Sequence, residues 1–413
     1  MQLLSLVFLV IALSSSVAWA EVRTITATGE YRMGDNDTRA DAKRIALQDA
    51  KRLALEKVGT YIESITEVKN LSLSKDEVRA YTAGIVEVTE QETRSTMEGQ
   101  QQIVRMDVTC KIDADVVAKQ IDALRKNETT KTELFAMKQE ADRLRQELDA
   151  KTRELAAVKS KAEVETIAQA RRKVLTGQDV NGLLAQAGVA LAGSSLTMTV
   201  GSSSREGRRR ARSLIEQALA LAPSSPHAHA SMGTLLMEEG NMEGAIAEYR
   251  TVIRLEPDDA TNHNNLGGAL QTKGDLEGAI AEYRTAIRLK PDDATHHTNL
   301  GFALETKGDL EGAIAEHRTA IRLKPDDATA HNNLGGALQT KGDLEGAIAE
   351  YKVGVRLKPN DAFAHYLLGK ALKIKGQRAE AAREFRECLR LAPDTPAHRS
   401  LITTVQAALR EIE

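Results

Sequence analysis

Small and apolar side chains in the C-terminal half of the chain recur with the spacing of paired helices. In residues 260–293 the inward positions are Leu266 and Leu270 on a first helix and Ala279, Tyr283 and Ala286 on a second. Gly274 permits the turn between them, Asp275 offers a capping oxygen to the second helix, and Pro291 ends that helix. The pattern predicts a helix–turn–helix unit of 34 residues.

This unit repeats along the chain in constant register. The prolines that end the second helices follow at intervals of 34 residues, at Pro257, Pro291, Pro325, Pro359 and Pro393. The run Gly-Asp-Leu-Glu-Gly-Ala-Ile-Ala-Glu recurs unchanged at 274–282, 308–316 and 342–350. Such a period is the signature of a stacked helical array. We therefore predict five full repeats in residues 226–395.

The array is expected to have an irregular unit at each end. Residues 177–225 predict a degenerate repeat, with Gly188 and Leu191 in its first helix and a Ser/Gly-rich loop at 193–204. Residues 396–413 predict one more helix, which would cover the apolar face of the last repeat.

The stretch 21–125 has the pattern of a small α+β domain. Apolar residues alternate with polar ones from Val104 to Ile112, which predicts a half-buried strand that a turn at Glu98-Gly99 folds back onto residues 85–96. Residues 38–58 predict an Ala-rich amphipathic helix ended by Gly59, and residues 61–68 a further strand.

Residues 126–176 are predicted to form a long helix and a linker. Within 134–162 the apolar positions alternate at spacings of three and four: Leu134, Met137, Ala141, Leu144, Leu148, Leu155, Val158 and Ala162. This seam fits either a coiled coil, which would give a homodimer contact, or a solitary solvated helix.

The first twenty residues resemble a secretory signal peptide. An apolar run from Leu3 to Leu13 is followed by serines and then by Ala18-Trp19-Ala20, which suits cleavage between Ala20 and Glu21. The alternative is a retained N-terminal anchor. No later segment is apolar enough to span a bilayer, so we expect a periplasmic or secreted mature chain without a membrane span.

Net charge, aromatic content and cysteine count limit the classes of fold and function that fit this sequence. Net charge is −3, so no global basic field would attract nucleic acid, and nucleic-acid binding is not predicted. Only 3% of residues are aromatic, which fits cores of Ala, Leu, Ile and Val in close-packed helices. Cys110 and Cys388 are interpreted as buried, unpaired thiols.

The sequence contains no convincing catalytic or metal-binding motif, and no cofactor is predicted. Ser72 and Lys75 match a short Ser-x-x-Lys pattern without its partner motifs, which favours a surface turn. Five histidines recur at one repeat position: His229, His263, His297, His331 and His365. Helices pack roughly 8 to 10 Å apart, too far for neighbouring rings to share one zinc, so packing between helices is favoured. Buried neutral imidazoles would make the array less stable in acid.

The repeat resembles the tetratricopeptide repeat (TPR) at every signature position except the first-helix Trp, which is His263 here. The resemblance implies a right-handed, mainly α-helical solenoid whose first helices line a concave groove that binds a peptide or protein. The groove residues would be Asn264, Asn265, Gln271, Thr298, Asn299, Phe302, Glu305, Asn332, Asn333, Gln339 and Tyr366.

Three of these, Asn265, Asn299 and Asn333, form a ladder that resembles the asparagine ladder of the O-linked N-acetylglucosamine transferase repeats. An amide offers both a donor and an acceptor to a peptide backbone. The alternative, which the residues alone favour, is that these side chains only solvate a face.

The N-terminal stretch resembles the small domain of LPP20-type lipoproteins and of flagellar assembly protein T. The matching residues are 27–30, 40–54 and 61–64. The resemblance implies an accessory role in a bacterial envelope, although the lipoprotein Cys is missing.

We expect an exported, non-enzymatic scaffold that holds a protein or peptide partner in envelope assembly. The alternative is a non-catalytic accessory subunit of a complex that handles export, glycan or polyanion. It would bind through two basic columns on the second helices: Arg250, Arg284, Arg318, Lys352 and Arg386, then Arg254, Arg288, Arg322, Arg356 and Arg390. A solvated face also explains these columns.

Overall fold

A computed structural model describes residues 22–68, 88–113, 117, 121, 128–158, 160–196, 203–393 and 398–412. The predicted signal peptide and the Ser72–Lys75 motif lie outside these residues. Within them, no helix combines the length and apolar character needed to cross a membrane. Contacts divide the chain into two compact units that meet in sequence between Leu214 and Ile215.

The N-terminal unit contains a three-stranded antiparallel sheet. Strands β1 (Val22–Arg32), β2 (Val88–Glu98) and β3 (Gln101–Asp113) lie in the order β1-β3-β2. Gly99 turns β2 into β3 with φ of 65°, a conformation that glycine adopts without strain. The predicted hairpin is confirmed for residues 88–113, and its predicted start at 85–87 lies outside the described residues.

Helix α1 (Arg39–Val68) covers β1 and β3. The strand predicted at 61–68 is therefore wrong, because α1 continues through Gly59. The buried positions of α1 recur every fourth residue up to Val58, and burial of Ile62 continues this face past the glycine. Gly29 lets the helix approach β1, since a Cβ there would lie 2.2 Å from the Ala46 carbonyl oxygen.

Helices α2 (Glu128–Ala157) and α3 (Lys161–Leu196) pack against each other as an intramolecular pair. Leu144 and Leu148 of the predicted seam cluster with Val174 and Leu175, and Leu155 packs on Ile167 and Ala168. The seam is thus covered by the chain's own α3. This intramolecular pairing is neither of the two arrangements that the sequence suggested.

Helix α3 is continuous across residues 176 and 177, where the sequence placed a boundary. Gly188 and Leu191 lie in this helix, and its Ala185 and Val189 belong to the N-terminal core. Residues 193–196 of the predicted loop also continue α3, and residues 197–202 lie outside the described residues. The first helix of the supposed degenerate repeat is therefore part of the N-terminal unit.

An ionic cluster joins α3 to the segment between β1 and α1 and to the first turn of α1. The Arg171 side chain is fully buried and donates from Nη1 to Asp37 Oδ1 at 2.6 Å. Arg172 donates to Asp41 at 3.1 Å. Hydrogen bonding to Arg172 and Thr38 holds the Asp41 pKa below its usual value, although burial opposes that shift.

The remaining described helices follow the 34-residue pattern. They are α4 (Ser203–Leu221), α5 (Pro226–Glu238), α6 (Met242–Leu255), α7 (Ala260–Lys273), α8 (Leu276–Leu289), α9 (Ala294–Lys307), α10 (Leu310–Leu323), α11 (Ala328–Lys341), α12 (Leu344–Leu357), α13 (Ala362–Ile374), α14 (Arg378–Leu391) and α15 (Arg399–Arg410). Asp275 caps α8 through the Gly278 N–H, as predicted. Helix α15 packs on α14, which confirms the closing helix.

Contacts between repeats reveal the inner side of the solenoid. Each second helix packs on the first helix of the next repeat. First helices of successive repeats also contact each other, as α7 with α9, α9 with α11, and α11 with α13. The first helices therefore line the inner wall, where the sequence placed the groove.

Candidate peptide-binding groove

Two amides of the predicted asparagine ladder have unused hydrogen-bonding groups. Asn265 and Asn333 are half-buried on α7 and α11, and neither side chain bonds to another described residue. Asn299 instead donates from Nδ2 to Asn264 Oδ1 of the preceding repeat at 2.9 Å. The ladder thus offers two open amides separated by one that links neighbouring repeats.

Three other predicted groove residues already have partners within the repeat. Gln271 accepts a hydrogen bond from the Tyr283 hydroxyl at 2.9 Å. Gln339 accepts the equivalent bond from Tyr351 at 3.4 Å. Thr298 donates to the Ala294 carbonyl oxygen one turn earlier at 3.0 Å. Each keeps at most part of its hydrogen-bonding capacity for a ligand.

Asn332 does not belong to the accessible wall. Its side chain is buried, and Oδ1 has no hydrogen-bond partner among the described residues. A Cβ placed on Gly354 would lie 2.2 Å from that oxygen. The preceding repeats have Ala286 or Ala320 where Gly354 stands, so Asn332 occupies space that a methyl group fills elsewhere.

The wall also presents exposed aromatic rings. Phe302 on α9 is 53% exposed. On α13, Phe363 is equally exposed and lies 5.9 Å from Tyr366, measured between ring centroids. These rings supply apolar contact area in the central and last repeats.

Glu305 is the one carboxylate among the predicted groove residues. It is half-buried on α9, and burial raises its pKa above the usual value. Apart from Glu305, the predicted set comprises amides, a hydroxyl and aromatic rings. The middle of the wall is therefore suited to a largely uncharged ligand.

The recurring histidines make the same two contacts in every repeat, and only their packing between helices was predicted from the sequence. In each repeat Nδ1 lies 2.6 to 2.7 Å from a glutamate Oε2, and Nε2 lies 2.9 to 3.1 Å from the carbonyl oxygen of the preceding proline. The glutamates are Glu248, Glu282, Glu316, Glu350 and Glu384. Packing between helices is confirmed, and both ring nitrogens are engaged. The signal was a glutamate always nineteen residues after the histidine.

His317 is a different kind of histidine. It stands where other repeats have Tyr249, Tyr283, Tyr351 or Phe385, and its side chain is fully buried. Neither ring nitrogen has a hydrogen-bond partner in the described structure. Burial lowers its pKa to about 4. This position bears on stability, because the ring faces Gly301 inside the repeat.

The two thiols are buried and unpaired, as predicted. Burial raises the pKa of both, that of Cys388 to about 11, so neither is a reactive thiolate at neutral pH. Among the described residues no three His, Cys, Asp or Glu side chains form a group that could hold a metal ion.

Comparison with known proteins identifies the repeats. A family model described as TPR repeat matches residues 233–274, 272–308, 306–342 and 337–376, and one described as tetratricopeptide repeat matches residues 362–395. No curated protein matches the chain.

Three similar solved structures illustrate the extent of the likeness. MamA is 27% identical, with 39% of this chain and 94% of that chain covered at a TM-score of 0.36. YrrB, described as a TPR protein with an unusual peptide-binding site, is 20% identical, with 47% of this chain and 97% of that chain covered at a TM-score of 0.36. PilF of Pseudomonas aeruginosa is 19% identical, with 55% of this chain and 99% of that chain covered at a TM-score of 0.43.

Proposed function

Residues 233–395 of this chain are tetratricopeptide repeats, and on that premise we propose that their inner wall binds an extended segment of a partner protein. Stacked repeats of this kind present a continuous concave surface to such segments. The chain acts as a scaffold, with no reaction of its own.

The observation that carries the proposal is the exposed Phe302 ring between two open amides. Asn265 lies on the repeat before it and Asn333 on the repeat after it. An extended peptide can donate to and accept from such amides through its backbone, while an apolar side chain packs on the ring. Neither amide is needed for a contact within the described chain.

We further propose that the scaffold works outside the cytoplasm, in the assembly of a bacterial envelope structure. The pattern of residues 1–20 supports export, and the resemblance of the N-terminal stretch supports the envelope role. The N-terminal unit would dock to the assembly while the repeats hold the partner. The helix at 61–68 departs from the element order on which that resemblance rests.

Selection from a library of displayed peptides tests the groove directly. Peptides selected on the wild-type chain should lose at least about tenfold in affinity for the triple variant Asn265→Ala, Phe302→Ala, Asn333→Ala, because a few central contacts supply most binding energy. The matched control is Thr272→Ala with Thr306→Ala and Thr340→Ala on the same helices. Equal affinity for the wild type and the triple variant would remove the groove from the proposal.

A further inference from the structure

The second helices carry two columns of exposed basic side chains, here called the arginine columns. One column consists of Arg250, Arg284, Arg318, Lys352 and Arg386, and the other of Arg254, Arg288, Arg322, Arg356 and Arg390. The two members in each repeat are four residues apart, which places them about 6 Å apart along one helix face. All ten side chains are exposed.

The glutamates of the same helices are already engaged elsewhere. One set bonds the repeat histidines, as Glu282 does with His263 at 2.6 Å. A second set pairs with lysines of the following repeat: Glu243 with Lys273, Glu277 with Lys307, Glu311 with Lys341 and Glu345 with Lys375. These contacts engage glutamates that lie two and seven residues before Arg250, Arg284, Arg318 and Lys352 on the same helices.

Most members of the columns consequently have no carboxylate partner. Within residues 203–393, no ion pair involves Arg250, Arg254, Arg284, Arg288, Arg318, Arg322, Lys352 or Arg356. Arg390, at the end of the array, does pair with Glu387. The columns thus hold uncompensated positive charge in a protein whose net charge is −3.

Helix stability explains only one of the two columns. Arg254, Arg288, Arg322, Arg356 and Arg390 lie in the last turns of their helices, where positive charge complements the helix dipole. The column that contains Arg284 and Arg318 lies earlier in the helices. Like charges four residues apart destabilise a helix by a few tenths of a kcal/mol. The first column therefore has a local cost that the helices do not offset.

We propose that the arginine columns bind an acidic polypeptide segment of a partner protein. Arginine presents a planar fork that pairs with a carboxylate through two hydrogen bonds, and nine of the ten residues are arginine. Nucleic acids without base pairing also use stacking on aromatic rings. The exposed rings Phe302 and Phe363 lie on first helices, away from these columns, which favours an acidic peptide. The surface is independent of the inner wall.

Binding of a labelled Glu/Asp-rich peptide to the full chain tests the proposal. The triple variant Arg284→Gln, Arg318→Gln, Lys352→Gln should weaken binding at least about tenfold, and added salt should weaken binding to the wild type. The control, Lys273→Gln with Lys307→Gln and Lys341→Gln, removes the same formal charge from the repeats. It should change the affinity by less than about threefold, because those lysines already have partners.

Two further measurements separate pairing with carboxylates from general attraction to negative charge. Replacing Arg284 and Arg318 by Lys keeps the charge but removes the paired hydrogen bonds, and affinity should fall between those of the wild type and the Gln variant. Single-stranded DNA and a sulfated glycan serve as competing probes. Equal loss in the two Gln triples, tighter binding of either competing probe, or no binding of the peptide to the wild type would each overturn the proposal. Thermal unfolding verifies that the variants remain folded.

Discussion

The Nδ1 atom of His297 lies 2.6 Å from Glu316 Oε2, while its Nε2 lies 3.1 Å from the carbonyl oxygen of Pro291. One ring thus links both helices of a repeat to the turn before it. Both ring nitrogens therefore have partners within the fold. The expected acid sensitivity rests on a buried imidazole without such partners, and His317 is one such residue.

Breaking this link should destabilise the array more than breaking an exposed pair. We expect Glu316→Ala to lower the free energy of unfolding by about 1–3 kcal/mol, because it leaves a buried ring nitrogen without a partner. Denaturant unfolding of Glu316→Ala, His297→Ala and the double variant measures the coupling. Glu311→Ala, whose partner Lys341 is exposed, is the control and should cost clearly less than Glu316→Ala. Similar costs for the two glutamates would contradict this assignment.

Replacing His317 by tyrosine should stabilise the protein. The change removes two buried nitrogens that have no hydrogen-bond partner. The new residue would also have Glu305 twelve residues before it in sequence, at the position from which Gln271 accepts a hydrogen bond from Tyr283. We expect a gain of about 1–3 kcal/mol, measured as a higher melting temperature. Tyr283→His is the reverse control and should lower the melting temperature. A His317→Tyr protein that melts no higher than the wild type would refute the prediction.

His317 should also make the repeats sensitive to acid. Its pKa is lowered by burial from 6.5 to about 4, so the unfolded chain binds this proton more readily than the folded one. Stability should therefore fall as pH drops from about 6.5 to about 4, by an amount on the order of 3 kcal/mol. The measurement is the melting temperature of the wild type and of His317→Phe across that range. The difference between the two curves isolates this histidine, and parallel curves would argue against it.

Neighbouring glycines in α7 should respond in opposite ways to the same change. A Cβ on Gly267 would lie 2.7 Å from Tyr283 Cε1, so Gly267→Ala should cost about 1–3 kcal/mol through overpacking. A Cβ on Gly268 would have only the Tyr283 hydroxyl oxygen nearby, at 3.7 Å. Gly268→Ala should therefore gain about 0.5–1 kcal/mol from helix propensity. Chemical denaturation of both variants provides the comparison, and equal effects would show that the contact with Tyr283 is unimportant.

Processing of the N terminus has a spectroscopic signature. Trp19 is the only tryptophan in the chain, and cleavage before Glu21 would remove it. The exported protein should then show tyrosine emission alone, and its intact mass should correspond to a chain that begins at Glu21. Tryptophan emission from protein in the membrane fraction would indicate a retained anchor instead.

The solenoid was predictable because residues that end, cap or turn a helix recur at the period of the repeat. Proline ends a helix, aspartate caps one and glycine permits a turn wherever they occur. The direction of a side chain was harder to predict. Asn332 and Asn333 are adjacent amides, but only Asn332 is buried, because Gly354 has no Cβ in the space that the Asn332 side chain occupies. The helix at 61–68 was missed for a related reason, because burial of Ile62 outweighs the break that Gly59 suggested.

The pairing of His297 with Glu316 could not be predicted from the sequence for a different reason. Both residues recur at constant spacing, but a sequence does not say which charged side chain of the second helix turns toward the ring. The packing of α9 on α10 makes that choice. Similarly, the apolar seam of α2 left a coiled coil and a solitary helix open, and only the fold shows that α3 covers it.

The lysine–glutamate contacts between successive repeats join positions thirty residues apart, from Lys273 with Glu243 to Lys375 with Glu345. The same ion pair thus recurs at four successive junctions of the array. A chain with one repeat more or one fewer would keep this contact at each junction, because each of these repeats carries both partners. The length of the solenoid can therefore vary in steps of one repeat without loss of these ion pairs.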